Sequence, residues 1–231
     1  MGGERVVSRR LMLHRAGISN CPYNTNGLIF WLDGIEKGQD PTIWEDQIGN
    51  KDFTLSNCTF GDKYVQFANN SIATLDGAVS SDWTSETIEV CSDGGSRTGY
   101  AKVALFSQPM IDDHVGAAIL LGSTRACSIN ADGTTFTNFR TYDFADSDWT
   151  VLKRLSLNAD DLVLGENICN NKGTDSWGAN QTGKTFIARR NDTATSYIFV
   201  GKIYSIRIYN RKLSTAEMIA NQAVDAQRFF S

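Results

Sequence analysis

Proline and histidine are scarce in this chain, at three and two of 231 residues. With only His14 and His114, and no Cys-x-x-Cys pair, the sequence offers no cluster of the kind that holds zinc, so no metal centre is expected. The five cysteines, Cys21, Cys58, Cys91, Cys127 and Cys169, lie far apart and cannot all pair within one chain. Free buried thiols and a reducing, non-secretory origin are the expectation. No run of about eighteen apolar residues occurs, so no membrane-crossing helix is expected. The early apolar run Leu11-Met12-Leu13 is too short for the core of an export signal. Without such a signal, the Asn-x-Ser/Thr triplets at Asn57, Asn69, Asn180 and Asn191 carry little weight. A basic excess is missing too: 22 basic against 26 acidic residues give a net charge of −4, which argues against general nucleic-acid binding.

Glycine, by contrast, is plentiful at 20 residues, and Asp-Gly and Asn-Asn pairs recur, which describes a chain that turns often and has few long helices. Its strands are read from period-2 alternation. Leu28, Phe30 and Leu32 alternate with Ile29 and Trp31, apolar on both faces, so this strand is central. Tyr64 to Phe67 and Ser71 to Leu75, separated by Asn69-Asn70, form a hairpin or a corner. Asp132-Gly133 marks another hairpin. Near the C-terminus, residues 201–210 form a half-buried strand with Tyr204, Ile206 and Ile208 on one face and Ser205 and Arg207 on the other. Ser214 and Glu217 then carry the capping-box signature of a helix running to about Gln227, with a weak apolar stripe of Met218, Ile219, Gln222 and Ala223. Such a helix needs a larger partner to bury it, and a sheet is the candidate.

Roughly a dozen strands and one short C-terminal helix predict an all-β, two-sheet antiparallel sandwich in a single domain over residues 27–231. Residues 1–26 form an N-terminal arm with Arg5, Arg9, Arg10 and Arg15. It is either a frayed terminus or an arm that docks on a neighbouring subunit through those arginines.

Gly27 to Gly34, the Trp44 to Phe53 segment with Asp46, Gly49 and Asp52, and Gly201 to Ser214 with Glu217 and Asn221 resemble the laminin-G-like, concanavalin A-type jelly-roll family of bacterial and bacteriophage proteins. The resemblance implies a jelly-roll sandwich whose first and last strands lie together, bringing the arm close to the C-terminal helix. The chain departs from the family pattern at Ala188, where the family tends to have glycine, and around Trp149 and Asn167, so no family ligand site is carried over.

Retaining glycoside cleavage needs two carboxylates about 5 Å apart. Glu86 and Glu89, at odd spacing, fall on opposite strand faces and read as solvated, so the chain is expected not to be an enzyme. Asp143, Asp146, Asp148, Asp160 and Asp161 could ligate calcium, although acidic loops are usually only solvated, and no cofactor is expected. Trp177 in a Gly/Asn-rich loop, with Asp175 and Asn180, is the best-placed sugar-stacking candidate; a plug at the sandwich end or a subunit contact is the bland alternative. Trp31, Trp44, Trp83 and Trp149 read as core. The leading expectation is a non-catalytic assembly or adhesion module, as in a bacteriophage capsid decoration, fibre or tail-associated protein. It would have protein partners, homo-oligomer contacts and a virion location. A lectin-like carbohydrate-binding module, cell-surface or secreted, is the alternative, and a glycoside hydrolase the third reading.

Overall fold

The computed structural model describes residues 21–79, 85–93, 102–108, 117–122, 125–131, 136–143, 153–158, 160–165, 167–169, 184–189 and 198–231, with backbone only between 102 and 143 and at 153, 162, 164 and 167–169. Among these residues the chain forms sixteen strands and one helix.

The strands make two eight-stranded sheets. The first runs β14 (Asn167–Cys169), β13 (Leu162–Leu164), β12 (Lys153–Asn158), β7 (Thr87–Ser92), β16 (Gly201–Tyr209), β5 (Val65–Phe67), β4 (Thr59–Phe60), with β1 (Leu28–Asp33) also on β16. The second runs β11 (Phe136–Asp143), β10 (Arg125–Ala131), β9 (Ala117–Gly122), β8 (Lys102–Gln108), β15 (Thr185–Ile187), β6 (Ile72–Leu75), β3 (Phe53–Ser56), β2 (Ile43–Trp44). Every pairing is antiparallel, as expected for a β-sandwich. β10 and β11 pair across Asp132-Gly133 as the hairpin signal predicts. The Asn69-Asn70 turn is a corner, because β5 and β6 belong to different sheets.

Strand β16 organises the first sheet. It pairs with β7 along one edge, and its other edge is shared by β5 against residues 201–203 and β1 against residues 205–209. The alternation read from sequence is corrected here by bulges. Between Ile203 and Ser205 the register against β7 shifts, so Tyr204 is an extra residue. A bulge switches which parity faces inward. Ile203 therefore shares the inter-sheet core with Ile206 and Ile208, while Tyr204 joins the outer side with Cys91 and Phe229. A second shift, between Leu28 and Phe30, sends Phe30 and Leu32 into the core and leaves Leu28 beside Trp31 on the outer side.

Trp44 and Phe53 complete the core as expected, and Trp44 donates its indole N–H to the Asp33 carbonyl at 2.9 Å. Between them Asp46, fully buried, accepts the backbone N–H of Trp31, Ile48, Gly49 and Lys51 at 3.0–3.3 Å. Burial pushes its carboxyl up, and those four donors oppose the shift. Gly49 is required beside it: a Cβ there would stand 2.8 Å from Asp46 Oδ2.

Ala188 is buried with φ +69°, in the left-handed region that favours glycine. Ala73, equally buried, sits in β6. Ala73→Gly should cost about 1–2 kcal/mol from chain entropy and a lost buried methyl. In Ala188→Gly the same losses are offset by relief of the left-handed penalty, leaving the change within about 1 kcal/mol of zero. Urea unfolding of the two variants checks the difference, and equal costs would contradict it.

Candidate functional site

Helix α1 (Thr215–Phe230) starts as predicted: Ser214 accepts the Glu217 N–H and Glu217 reaches back to the Ser214 N–H. Its buried residues are Met218, Asn221, Gln222, Asp225 and Phe229, a regular i, i+3, i+4 stripe that is mostly polar. The apolar stripe expected from sequence is corrected accordingly: Ile219 is only partly buried and Ala223 is exposed. The helix lies antiparallel over β16, with Asn221 at Tyr209, Asp225 at Arg207 and Phe229 at Tyr204. Four helical residues rise about 6 Å and two strand residues about 6.6 Å, so successive helix turns meet successive outward side chains of the strand.

At the centre of this seam Arg207, 1% exposed, is enclosed on every side. Its Nε donates to Glu89 Oε2 at 2.9 Å, and Nη1 and Nη2 donate to the two Asp225 oxygens at 2.6 and 2.7 Å. Nη1 also reaches Ser205 Oγ, and the guanidinium lies 3.8 Å from the centroid of the Tyr23 ring. Tyr23 donates its hydroxyl to Asp225 Oδ1 at 2.7 Å. Glu89 also accepts from Ser156 Oγ and Asn221 Nδ2, while Gln222 donates to Ser156 Oγ and the Val163 carbonyl. Burial pushes the Glu89 carboxyl up against the pull of Arg207, and Asp225 holds the Arg207 guanidinium well above its usual range.

The half-buried reading of β16 and the solvated reading of Glu89 are both corrected. Ser205, Arg207 and Glu89 face away from the inter-sheet core, but α1 covers them. Glu86 is also buried, at 6% exposed. With both oxygens of Glu89 engaged and no access from solvent, the Glu86/Glu89 pair is no catalytic dyad.

The N-terminal segment enters the same seam. Tyr23 is 5% exposed, packs edge-on against Trp31, and is followed by Asn24, whose N–H donates to Asn221 Oδ1 and whose Nδ2 donates to Glu217 Oε1. The expected proximity of the arm to α1 therefore holds for Tyr23 and Asn24. Glu217 is the hinge pin, since it also takes a bidentate contact from Arg211 at 2.6 and 3.1 Å. That contact and the Ser214 N–H hold its carboxyl down at about 2.

Arg5, Arg9, Arg10, Arg15, His14, His114, Asp146, Asp148, Trp83, Trp149, Asp175, Trp177 and Asn180 lie outside the described residues. Of the calcium candidates, Asp143 ends β11 and Asp160 pairs with Lys212 at 2.9 Å. The N–H groups of Asp160 and Asp161 both donate to Asn158 Oδ1. The three cysteines whose side chains are described, Cys21, Cys58 and Cys91, are free thiols.

No family model and no curated protein sequence matches the chain. Solved structures do. Trypanosoma rangeli sialidase in complex with 2,3-difluoro-KDN is 11% identical, with TM-score 0.71 over 98% of this chain and 40% of the sialidase. The same enzyme in complex with sialic acid gives 10% identity and TM-score 0.70 over 98% and 39%. The Ruminococcus gnavus IT-sialidase CBM40 is 16% identical over 61% of this chain and 83% of that one, but its TM-score of 0.48 is too low to carry an argument.

The chain has a β-sandwich fold. It spans about two fifths of the length of the sialidases it matches, and at such identity the likeness is one of fold alone. It nevertheless overturns the expectation that the chain is not an enzyme: structures sharing its fold include sialidases, which are glycoside hydrolases, so the fold gives no ground for excluding catalysis.

Removing one partner of a buried ion pair strands the others. Arg207→Met should destabilise the protein by about 3–5 kcal/mol, and Arg207→Met/Glu89→Leu/Asp225→Leu should recover most of that loss in urea unfolding. Recovery would separate the stranded charges from simple loss of packing. Glu217, depressed from 4.5 to about 2, contributes stability that is fully present above 4.5 and lost as pH falls through 2. The stability gap between the native protein and Glu217→Gln should therefore narrow over that interval, and a gap independent of pH would contradict the assignment.

Proposed function

We propose that this chain is a glycan-binding β-sandwich module. The observation that carries the reading is the fold match over nearly the whole chain to sialidases solved with sialic acid and its analogues. It gives the lectin-like reading more support than the assembly role in a virion, which no finding favours. A β-sandwich also suits the task, because a rigid scaffold can hold variable loops against a sugar without reorganising.

Within this reading the sandwich is a jelly roll of the laminin-G-like, concanavalin A type. Three local features support that assignment. Asp46 and Gly49 of the Trp44 segment form a hydrogen-bonded hub, Ser214 and Glu217 form the capping box, and Ala188 adopts a glycine-type φ where the family tends to have glycine. Trp177 is the proposed sugar-stacking residue, with Asp175 and Asn180 beside it in sequence to bind hydroxyls.

Binding to an immobilised panel of neutral and sialylated oligosaccharides tests the function. The native protein should bind a subset, and Trp177→Ala should lose that binding with its thermal unfolding unchanged. A panel blank for the native protein would overturn the proposal.

A further inference from the structure

The outer face of the first sheet is not uniformly covered by α1. Beyond the ion network, at the C-terminal end of the helix, lies a group of aromatic rings. Tyr204 meets Tyr64 at 5.8 Å and Phe230 at 4.9 Å between centroids, both edge-on, and Phe229 at 5.5 Å. Phe229 is buried beneath, whereas Phe230 is 42% exposed and Tyr64 is half-buried. Such edge-to-face packing fixes ring orientation, so the group presents a preformed aromatic surface.

Polar groups ring that surface. Among the described residues the hydroxyls of Tyr64 and Tyr204 make no hydrogen bond, and the Lys202 ammonium forms no ion pair, lying 4.5 Å from the centroid of the Tyr64 ring. Asp93 is tied alongside through a reciprocal pair, its Oδ1 accepting the Lys202 N–H and its own N–H donating to the Lys202 carbonyl, each at 3.0 Å. Burial together with the Asp93 charge pushes the Tyr204 phenol up to about 12, so it stays protonated and able to donate. The arrangement depends on the β16 bulge: without the extra residue, Tyr204 would not reach the outer side between Lys202 and Ser205.

Exposed aromatic carbon beside donors that have no acceptor among the described residues is the complement of a pyranose. A pyranose offers one apolar C–H face and a rim of hydroxyls that both donate and accept. A protein docking core would instead be depleted of charge at its centre. We infer that Phe230, Tyr64, Tyr204 and Lys202 form a sugar-contacting site on the outer face of the first sheet. Phe230 stacks the sugar ring, and Lys202 with the two phenols binds its hydroxyls. This inference rests on the glycan-binding reading and adds a contact separate in sequence from the Trp177 loop.

The test titrates lactose, N-acetylglucosamine oligomers and sialyllactose into the native protein and into Phe230→Ala, Tyr64→Phe, Lys202→Gln and Trp177→Ala. Phe230→Ala should raise Kd about tenfold through lost stacking. Tyr64→Phe, which keeps the ring and its packing, should raise it about fivefold through one lost hydrogen bond. Thermal unfolding should be unchanged in Tyr64→Phe and Lys202→Gln. If the native protein binds and only Trp177→Ala matters, the inference fails while the glycan reading stands. If the native protein binds none of these sugars, the glycan reading itself falls and takes the site with it.

Discussion

The Arg207 guanidinium is the contact on which the outer half of the molecule depends. Helix α1 offers the sheet too little apolar surface to hold itself down: between Met218 and Phe229 its inward residues are Asn221, Gln222 and Asp225. What fixes it is a buried cation shared between Glu89 of the sheet and Asp225 of the helix, capped by the Tyr23 ring. A single charge thereby joins β7, β16, α1 and the N-terminal segment. A buried ionic cluster of this kind specifies geometry more than it adds stability, because its attraction is spent largely against desolvation. Its donors have few alternative partners, so helix register and strand position are set together.

The visible parts of the fold were those governed by local chemistry. The Ser214/Glu217 capping box, a turn at Asn69-Asn70 and the hairpin at Asp132-Gly133 all follow from turn residues and caps, whereas β1, read as central from its two apolar faces, pairs with β16 alone among the described strands. The hidden parts are those in which tertiary context overrides period. Bulges in β1 and β16 each insert a residue that shifts the inward parity, and nothing in an apolar run marks the place. The buried face of α1 escaped notice for a related reason: apolar periodicity cannot see a stripe of Asn, Gln and Asp. The signal that could have found it is the same i, i+3, i+4 spacing read in polar residues, opposite the charged Arg207 of a strand whose other face is apolar.

Ala188 illustrates a third limit. The sequence showed a departure from a position where the resembled family tends to have glycine, which read as grounds for carrying over no family ligand site. The backbone there is left-handed although the residue is not glycine. Its carbonyl accepts the Phe199 N–H at 2.8 Å, and that contact fixes the chain as it turns from β15 toward β16. Surrounding structure that over-determines a residue can maintain a strained φ at modest cost.

The sealed seam also constrains where recognition can occur. Glu89, Arg207 and Asp225 have the composition of a functional cluster, yet every charge is matched inside the protein and none meets solvent. A ligand could compete for them only by displacing α1 and Tyr23 together. Among the described residues, the Tyr64 and Tyr204 hydroxyls and the Lys202 ammonium lie one helical turn further on, where Phe230 ends α1 and the β16 bulge turns Tyr204 outward. The same geometry that closes the first region thus leaves the second open. The helix and the bulged strand match over Asn221 and Asp225, and beyond the bulge the match ends, so aromatic side chains rather than a continued ionic seam meet the solvent.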